Sequence, residues 1–171
     1  MTEQIDPNNP VARMCAAGIA AETSGDFTTA RELYESAWSA RADAYDASIA
    51  AHFLARVQTD LRERHRWNAE ALRAANEAGD ERVETFYPSL HLNMGRSCED
   101  IGDLSGARHH YRAARDCLKT LPATPYSAVV RRGIEAAESR TAEGGTATAP
   151  TDAPSSSPAA PSQAAPAPRR G

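Results

Sequence analysis

GDFTTARELYESAW, running from Gly25 to Trp38, comes back as GDLSGARHHYRAAR between Gly102 and Arg115. Both read Gly-Asp-apolar-x-x-Ala-Arg-x-x-Tyr-x-x-Ala, and a further glycine stands seven residues ahead of each, Gly18 and Gly95. Gly-Asp is a stop followed by a start. The glycine accepts a left-handed turn, and the aspartate carboxylate takes hydrogen bonds from the free amides of the helix that follows. Ala30, Tyr34 and Ala37 then share one helical face, as do Ala107, Tyr111 and Ala114. Alanines let a neighbouring helix come close, and the tyrosine fills the space between the two. A helix–turn–helix unit is thus written at least twice.

Working outward from these anchors, the 3.6-residue period yields seven helices. The first covers 11–24 and stops at Ser24-Gly25; the second, 27–41, carries Ala30, Leu33, Tyr34, Ala37 and Trp38. A third, about 46–59, opens at Asp46, and a fourth, about 63–78, carries Trp67, Ala71, Ala74 and Ala75 and ends at Gly79. Asp80 caps a fifth, with Val83, Phe86, Leu90, Met94 and Ile101 as its apolar positions. Pro88 inside it removes a hydrogen bond and predicts a kink or break near Tyr87. The sixth, about 104–119, repeats the second, and the seventh opens at Thr124-Pro125 with Tyr126, Val130, Ile134 and Ala137 on one stripe. No stretch alternates apolar and polar residues as a strand would. The reading is an all-α domain over 11–140, preceded by a flexible 1–10.

From Thr141 the composition turns to Ala, Pro, Ser, Thr and Gly, with six prolines from Pro150 to Pro168. Such a segment has too little apolar surface to offset its ordering entropy, so 141–171 is expected to be a disordered tail.

The repeated unit resembles the tetratricopeptide repeat: a small residue where helix A meets helix B, glycine at the turn, then Ala, Tyr and Ala down helix B. On that 34-residue pattern the copies start at Val11, Ser48 and Pro88, with Ala55 at the small position of the middle copy and Trp67, Ala71 and Ala74 down its helix B. The resemblance implies a right-handed superhelical stack of three antiparallel helix hairpins with a C-terminal capping helix. It is similar to short bacterial arrays, actinobacterial-like, of the kind found in signalling regulators. In this family the A helices line a concave groove that holds a partner. Carried over, the groove would comprise Cys15, Ile19 and Glu22; His52, Arg56 and Asp60; and Ser89, Leu92, Arg96, Glu99 and Asp100. Arg56 and Arg96 fall at equivalent positions of adjacent hairpins and would grip a carboxylate or phosphorylated segment. The competing reading has them paired with Asp60, Glu99 and Asp100 on a solvated rim.

Several function classes are disfavoured. A net charge of -4 gives no basic surface for nucleic acid. No run of about 18 apolar residues and no apolar leader occur, which points to a soluble, cytoplasmic protein and no membrane partner. The odd count of Cys15, Cys98 and Cys117 argues for a reducing compartment. Cys98, His109, His110 and Cys117 match no zinc spacing, so no metal and no cofactor are expected. No nucleophile, phosphate-loop or metalloprotease motif is present, so no catalytic residues are assigned. The expected function is a protein-interaction module, an adaptor or regulatory scaffold, binding a protein or peptide partner; its open ends would also allow a homodimer. The alternatives are a sensor taking a peptide or small ligand in the same groove and, further off, a helical enzyme.

Overall fold

A computed structural model describes residue 6 and residues 8–119 and 121–143. Among these, every regular element is α-helical: α1 Pro10–Thr23, α2 Phe27–Ser39, α3 Ala44–Arg56, α4 Leu61–Ala78, α5 Glu81–Glu84, α6 Tyr87–Asp100, α7 Leu104–Leu118 and α8 Pro125–Glu143. The expected tail beyond 143, and residues 1–5 and 7 of the expected flexible N-terminus, lie outside the described residues.

Side-chain oxygens set most of the helix starts. Asn9 accepts from the Ala12 amide, Asp26 from Thr29, Asp43 from Asp46, Asp60 from Arg62 and Glu63, Asp80 from Arg82, and Asp103 from Gly106. The third helix therefore opens three residues before the expected cap. Asp43 is the cap, and Asp46 sits buried inside the first turn, accepting from the Ala42 amide at 3.0 Å and from Asn9 Nδ2 at 2.6 Å. Two aspartates three residues apart offer the same cap chemistry; Asp43 takes the helix amide, and Asp46 is taken up by the Ala42 amide and by Asn9. The expected fifth helix is broken into α5 and α6. Pro88 cannot donate, so Thr85 and Phe86 form the joint, and the proline becomes part of the first turn of a new helix where its missing N–H costs nothing. Gly25 and Gly102 take φ of 84° and 87°, a region open to glycine, at the two equivalent turns. The last helix runs on to Glu143, with Thr141 buried and its hydroxyl donating to the Ala137 carbonyl.

The helices pair as α1 with α2, α3 with α4, and α6 with α7. Beyond these pairs, α3 leans on both α1 and α2, and α8 leans in the same way on both α6 and α7. The join between the second and third pairs is different, being carried by α4 against α6. One core runs through the first two pairs and into α6: Val11, Tyr34, Ile49, Phe53, Leu54, Val83, Phe86 and Leu90 among its members. Tyr34 stacks on Phe53 and Tyr45 on Phe86, at centroid distances of 5.4 and 5.7 Å. Ile101, expected in the core, lies partly exposed in the α6–α7 turn.

Candidate functional site

The aspartate, arginine and tyrosine of the repeated motif make the same kind of contact in both copies. Tyr34 and Tyr111 are wholly buried, and each ring lies in the notch left by a glycine of the preceding helix, Gly18 or Gly95. The Tyr34 hydroxyl donates to Glu22 Oε1 at 2.8 Å, and the same carboxylate takes Nη2 of Arg56 at 2.6 Å from the next hairpin. In the last hairpin the Tyr111 hydroxyl donates to Glu99, which also takes Nη2 of Arg140 on α8 at 2.9 Å. Arg31 donates to the carbonyl of Val57 at the end of α3, and Arg108 donates to the carbonyl of Thr141 in the last turn of α8, at 2.8 Å through Nη2. The first pair thus grips α3 just as the last pair grips α8.

These contacts set the ionisation of the groups that make them. Burial pushes the Tyr34 and Tyr111 phenols well above their usual range, and the neighbouring carboxylates push them further. Burial also tends to raise Glu22 and Glu99, but the hydrogen bonds from Arg56 and Tyr34, and from Arg140 and Tyr111, outweigh it and hold both below the ordinary glutamate value.

The middle pair lacks this relay, and its two halves are missing together. On the repeat register the tyrosine position is Ala71 and the glutamate position is Thr59. Without the phenol there is nothing inside to hold a carboxylate, and without the carboxylate a buried phenol would lack a partner. The aromatic sits one turn earlier instead, at Trp67, which meets Trp38 of α2 edge-on at 5.0 Å.

Arg96 consequently stands apart from Arg56 and Arg140. It occupies their place in the repeat but finds no carboxylate on α3, and its Nε turns to Asp100 of its own helix at 3.2 Å. Asp100 also takes Arg64 of α4 at 3.4 Å, so two guanidinium groups share one carboxylate. Arg96 remains 58% exposed and Arg64 34%, whereas Asp100 is 17% exposed.

The eleven residues expected to line the groove divide accordingly. Cys15, His52 and Ser89 are interior side chains. Each lies on a face of an A helix that a neighbouring hairpin covers, and α3, enclosed by α1, α2 and α4, has almost no free face. Burial pushes the Cys15 thiol up to about 12 and the His52 imidazole down to about 4, with Arg56 adding to the latter. Ser89 bonds the Phe86 carbonyl, and Asp60 is committed to the α4 amides. Ile19 packs half-buried against the core, and Leu92 lies against α8 at Gly133. Glu22 with Arg56, and Glu99 with Arg140, are relay pairs. The expected pairing of Arg56 with Asp60 does not occur, while that of Arg96 with Asp100 does. What remains is a charged rim in which Arg56 and Arg96 are exposed and the half-buried Asp100 is flanked by Arg96 and by Arg64 of α4. Arg64 had no signal in the sequence, because only the packing of α4 on α6 brings it to Asp100.

A second polar line crosses the α3–α4–α6 junction. Asn93 Nδ2 reaches His52 Nδ1 at 3.4 Å, and Ser97 Oγ reaches His65 Nδ1 at 3.4 Å. On the far side of α6, His91 Nδ1 and His110 Nδ1 lie 3.0 Å apart, one donating to the other. Burial pushes His91 down to about 4, and the charges of His110 and His109 act in the same direction. Among the described residues no group of three or more His, Cys, Asp or Glu is arranged to hold a metal ion, and no helix is long and apolar enough to cross a membrane. Compared with protein-family models, curated proteins and solved structures, the chain matches none.

Proposed function

We propose that this chain is a protein-interaction module: a right-handed superhelical stack of tetratricopeptide-like hairpins, closed by α8, that holds a partner segment along the rim of its A helices. The observation that carries the reading is the shared Asp100. Two arginines converging on one carboxylate leave an excess of positive charge, and Arg96 has the reach and exposure to take a second anion. A carboxylate or phosphoryl group on the partner matches the planar fork of the guanidinium. The array behind the rim is preorganised by buried tyrosines and by relay pairs at both ends, so little side-chain order has to be created on binding. The module is read as an adaptor or regulatory scaffold without catalytic residues, working in the cytoplasm.

Arg56 is a poor probe of this reading because its loss would also open the Glu22 relay. Arg64 is as poor a probe, since its Nη2 also holds the Gln58 carbonyl at 2.8 Å. The test is affinity capture from cell extract with the full chain and with Arg96→Ala. A protein retained by the wild type and lost by the variant, at unchanged helicity, supports the rim. The same protein retained equally by both forms removes it.

A further inference from the structure

Among the described residues, the last join of the array ends in an open slot. Between α2 and α3 the first join continues into α4, whose Trp67 covers Trp38. At the equivalent join between α7 and α8, the place of Trp38 is taken by Arg115, and no described helix follows α8. What remains is an open groove of about 440 Å3 lined by Arg108, Tyr111, Arg112, Arg115, Glu138 and Thr141. Arg108 is used on the Thr141 carbonyl, and Arg115 pairs with Glu138 at 3.0 Å. Arg112 is exposed, and among the described residues its guanidinium meets only the backbone carbonyl of Arg108, at 3.3 Å. Within Leu104–Glu143 Lys and Arg outnumber Asp and Glu seven to four, although the whole chain is at -4. A positive slot therefore closes a predominantly negative molecule.

The matching surface lies at the other end of the same chain. On the outer face of α2, turned away from Ala30, Tyr34 and Ala37, stand Glu32, Glu35, Ser36 and Ser39. Glu32 and Glu35 are exposed and take part in none of the ion pairs among the described residues. They are three residues apart, as are Arg112 and Arg115, so a helix laid beside α7 can set one glutamate against Arg112 and the other against Arg115, which it would share with Glu138. Glu35 and Arg112 even occupy the same motif position, one residue after the tyrosine.

We propose that the α7–α8 slot receives α2 of a second copy of this chain. The two surfaces differ and sit on the first and last hairpins. The contact is therefore heterologous: each copy still offers one free surface of each kind, and assembly continues as a chain or closes as a ring. None of the rim residues takes part, so the inference stands or falls independently of partner binding there.

The test is sedimentation of the full chain over a range of concentrations at two ionic strengths. With a screening length of about 30 Å at 0.01 M and about 3 Å at 1 M salt, the wild type should associate in the first and be monomeric in the second. Glu32→Arg/Glu35→Arg and Arg112→Glu/Arg115→Glu should each remain monomeric at low salt, and a mixture of the two should associate again. All four positions are exposed, and far-UV helicity checks that each variant is folded. A wild type that stays monomeric throughout overturns the proposal and leaves the slot to an acidic helix of another protein. Association that survives in either variant alone, or a mixture that stays monomeric, overturns it as well.

Discussion

Gly18→Ala is the substitution whose outcome most depends on the packing described here. In an ordinary helix interior the change stabilises by about 0.8–1 kcal/mol, because alanine loses less backbone entropy on folding. At this position the added Cβ would stand 2.2 Å from Cε1, 2.7 Å from Cζ and 2.8 Å from Cδ1 of Tyr34. The ring has to withdraw by more than about 1 Å to restore an ordinary contact of about 3.5 Å. It has nowhere to go, since Tyr34 is fully buried, stacked on Phe53 and tethered to Glu22. Overpacking of a tight core costs about 1–3 kcal/mol, and loosening a hydrogen bond to a charged group costs about 1.5–3 kcal/mol more. After the propensity gain, the net loss should be about 1.5–5 kcal/mol, a large share of the typical 5–15 kcal/mol of a domain. Urea unfolding followed by far-UV circular dichroism measures it, and Gly133→Ala is the control. There the nearest atom, at 2.9 Å, is the end of the Leu92 side chain, which can rotate away, so little stability should be lost. Repeating Gly18→Ala in a Tyr34→Leu background removes the atoms that clash most closely, and the penalty should fall by at least half. Gly18→Ala that stabilises, or a penalty unchanged in that background, refutes the notch.

Glu99→Gln keeps the shape of the relay but removes its charge. It should destabilise by about 1–2 kcal/mol, the low side of a charged hydrogen bond because Arg140 is half exposed, and Glu22→Gln should behave alike. The folded values of Glu22 and Glu99 lie below the unfolded value near 4.5, so their contribution is complete above that pH and disappears as pH falls through the lowered values; urea midpoints below pH 4.5 should drop less in the double Gln variant than in the wild type. His52 and His91 titrate near 4 when folded and near 6.5 when unfolded, so the unfolded chain binds more protons in between, and midpoints should decline from pH 6.5 towards 4, less steeply in His91→Leu. Asp103→Ala removes the cap that accepts from the Gly106 amide at 2.8 Å and should cost about 1 kcal/mol by the same urea assay.

The Gly-Asp motif made most of the fold legible. Turn, cap and buried face are all local properties, and they placed the first hairpin and α7 within a residue or two. Positions that depend on a neighbour were not legible. Asp43 and Asp46 read alike, although the second is taken up by the Ala42 amide and by Asn9, and Pro88 announced a break without saying that α5 would shrink to a single turn. The groove residues suffered from the same gap. Counting positions along an A helix gives its inner and outer faces, but burial of Cys15, His52 and Ser89 depends on how closely the next hairpin stacks. The relay was present in the sequence as Gly18, Glu22 and Tyr34 repeated in Gly95, Glu99 and Tyr111. Its third member was hidden, because Arg56 and Arg140 lie at unequal distances along the chain from the glutamates they hold.

The central claim, that a partner lies along the rim of the A helices, is tested most directly by hydrogen exchange of the full chain with and without the captured partner. The account predicts new protection confined to the last turns of α3 and α6 and the first turns of α4, around Arg56, Arg64, Arg96 and Asp100. Protection confined instead to the outer faces of α2 and α7, with the rim unchanged, would contradict it.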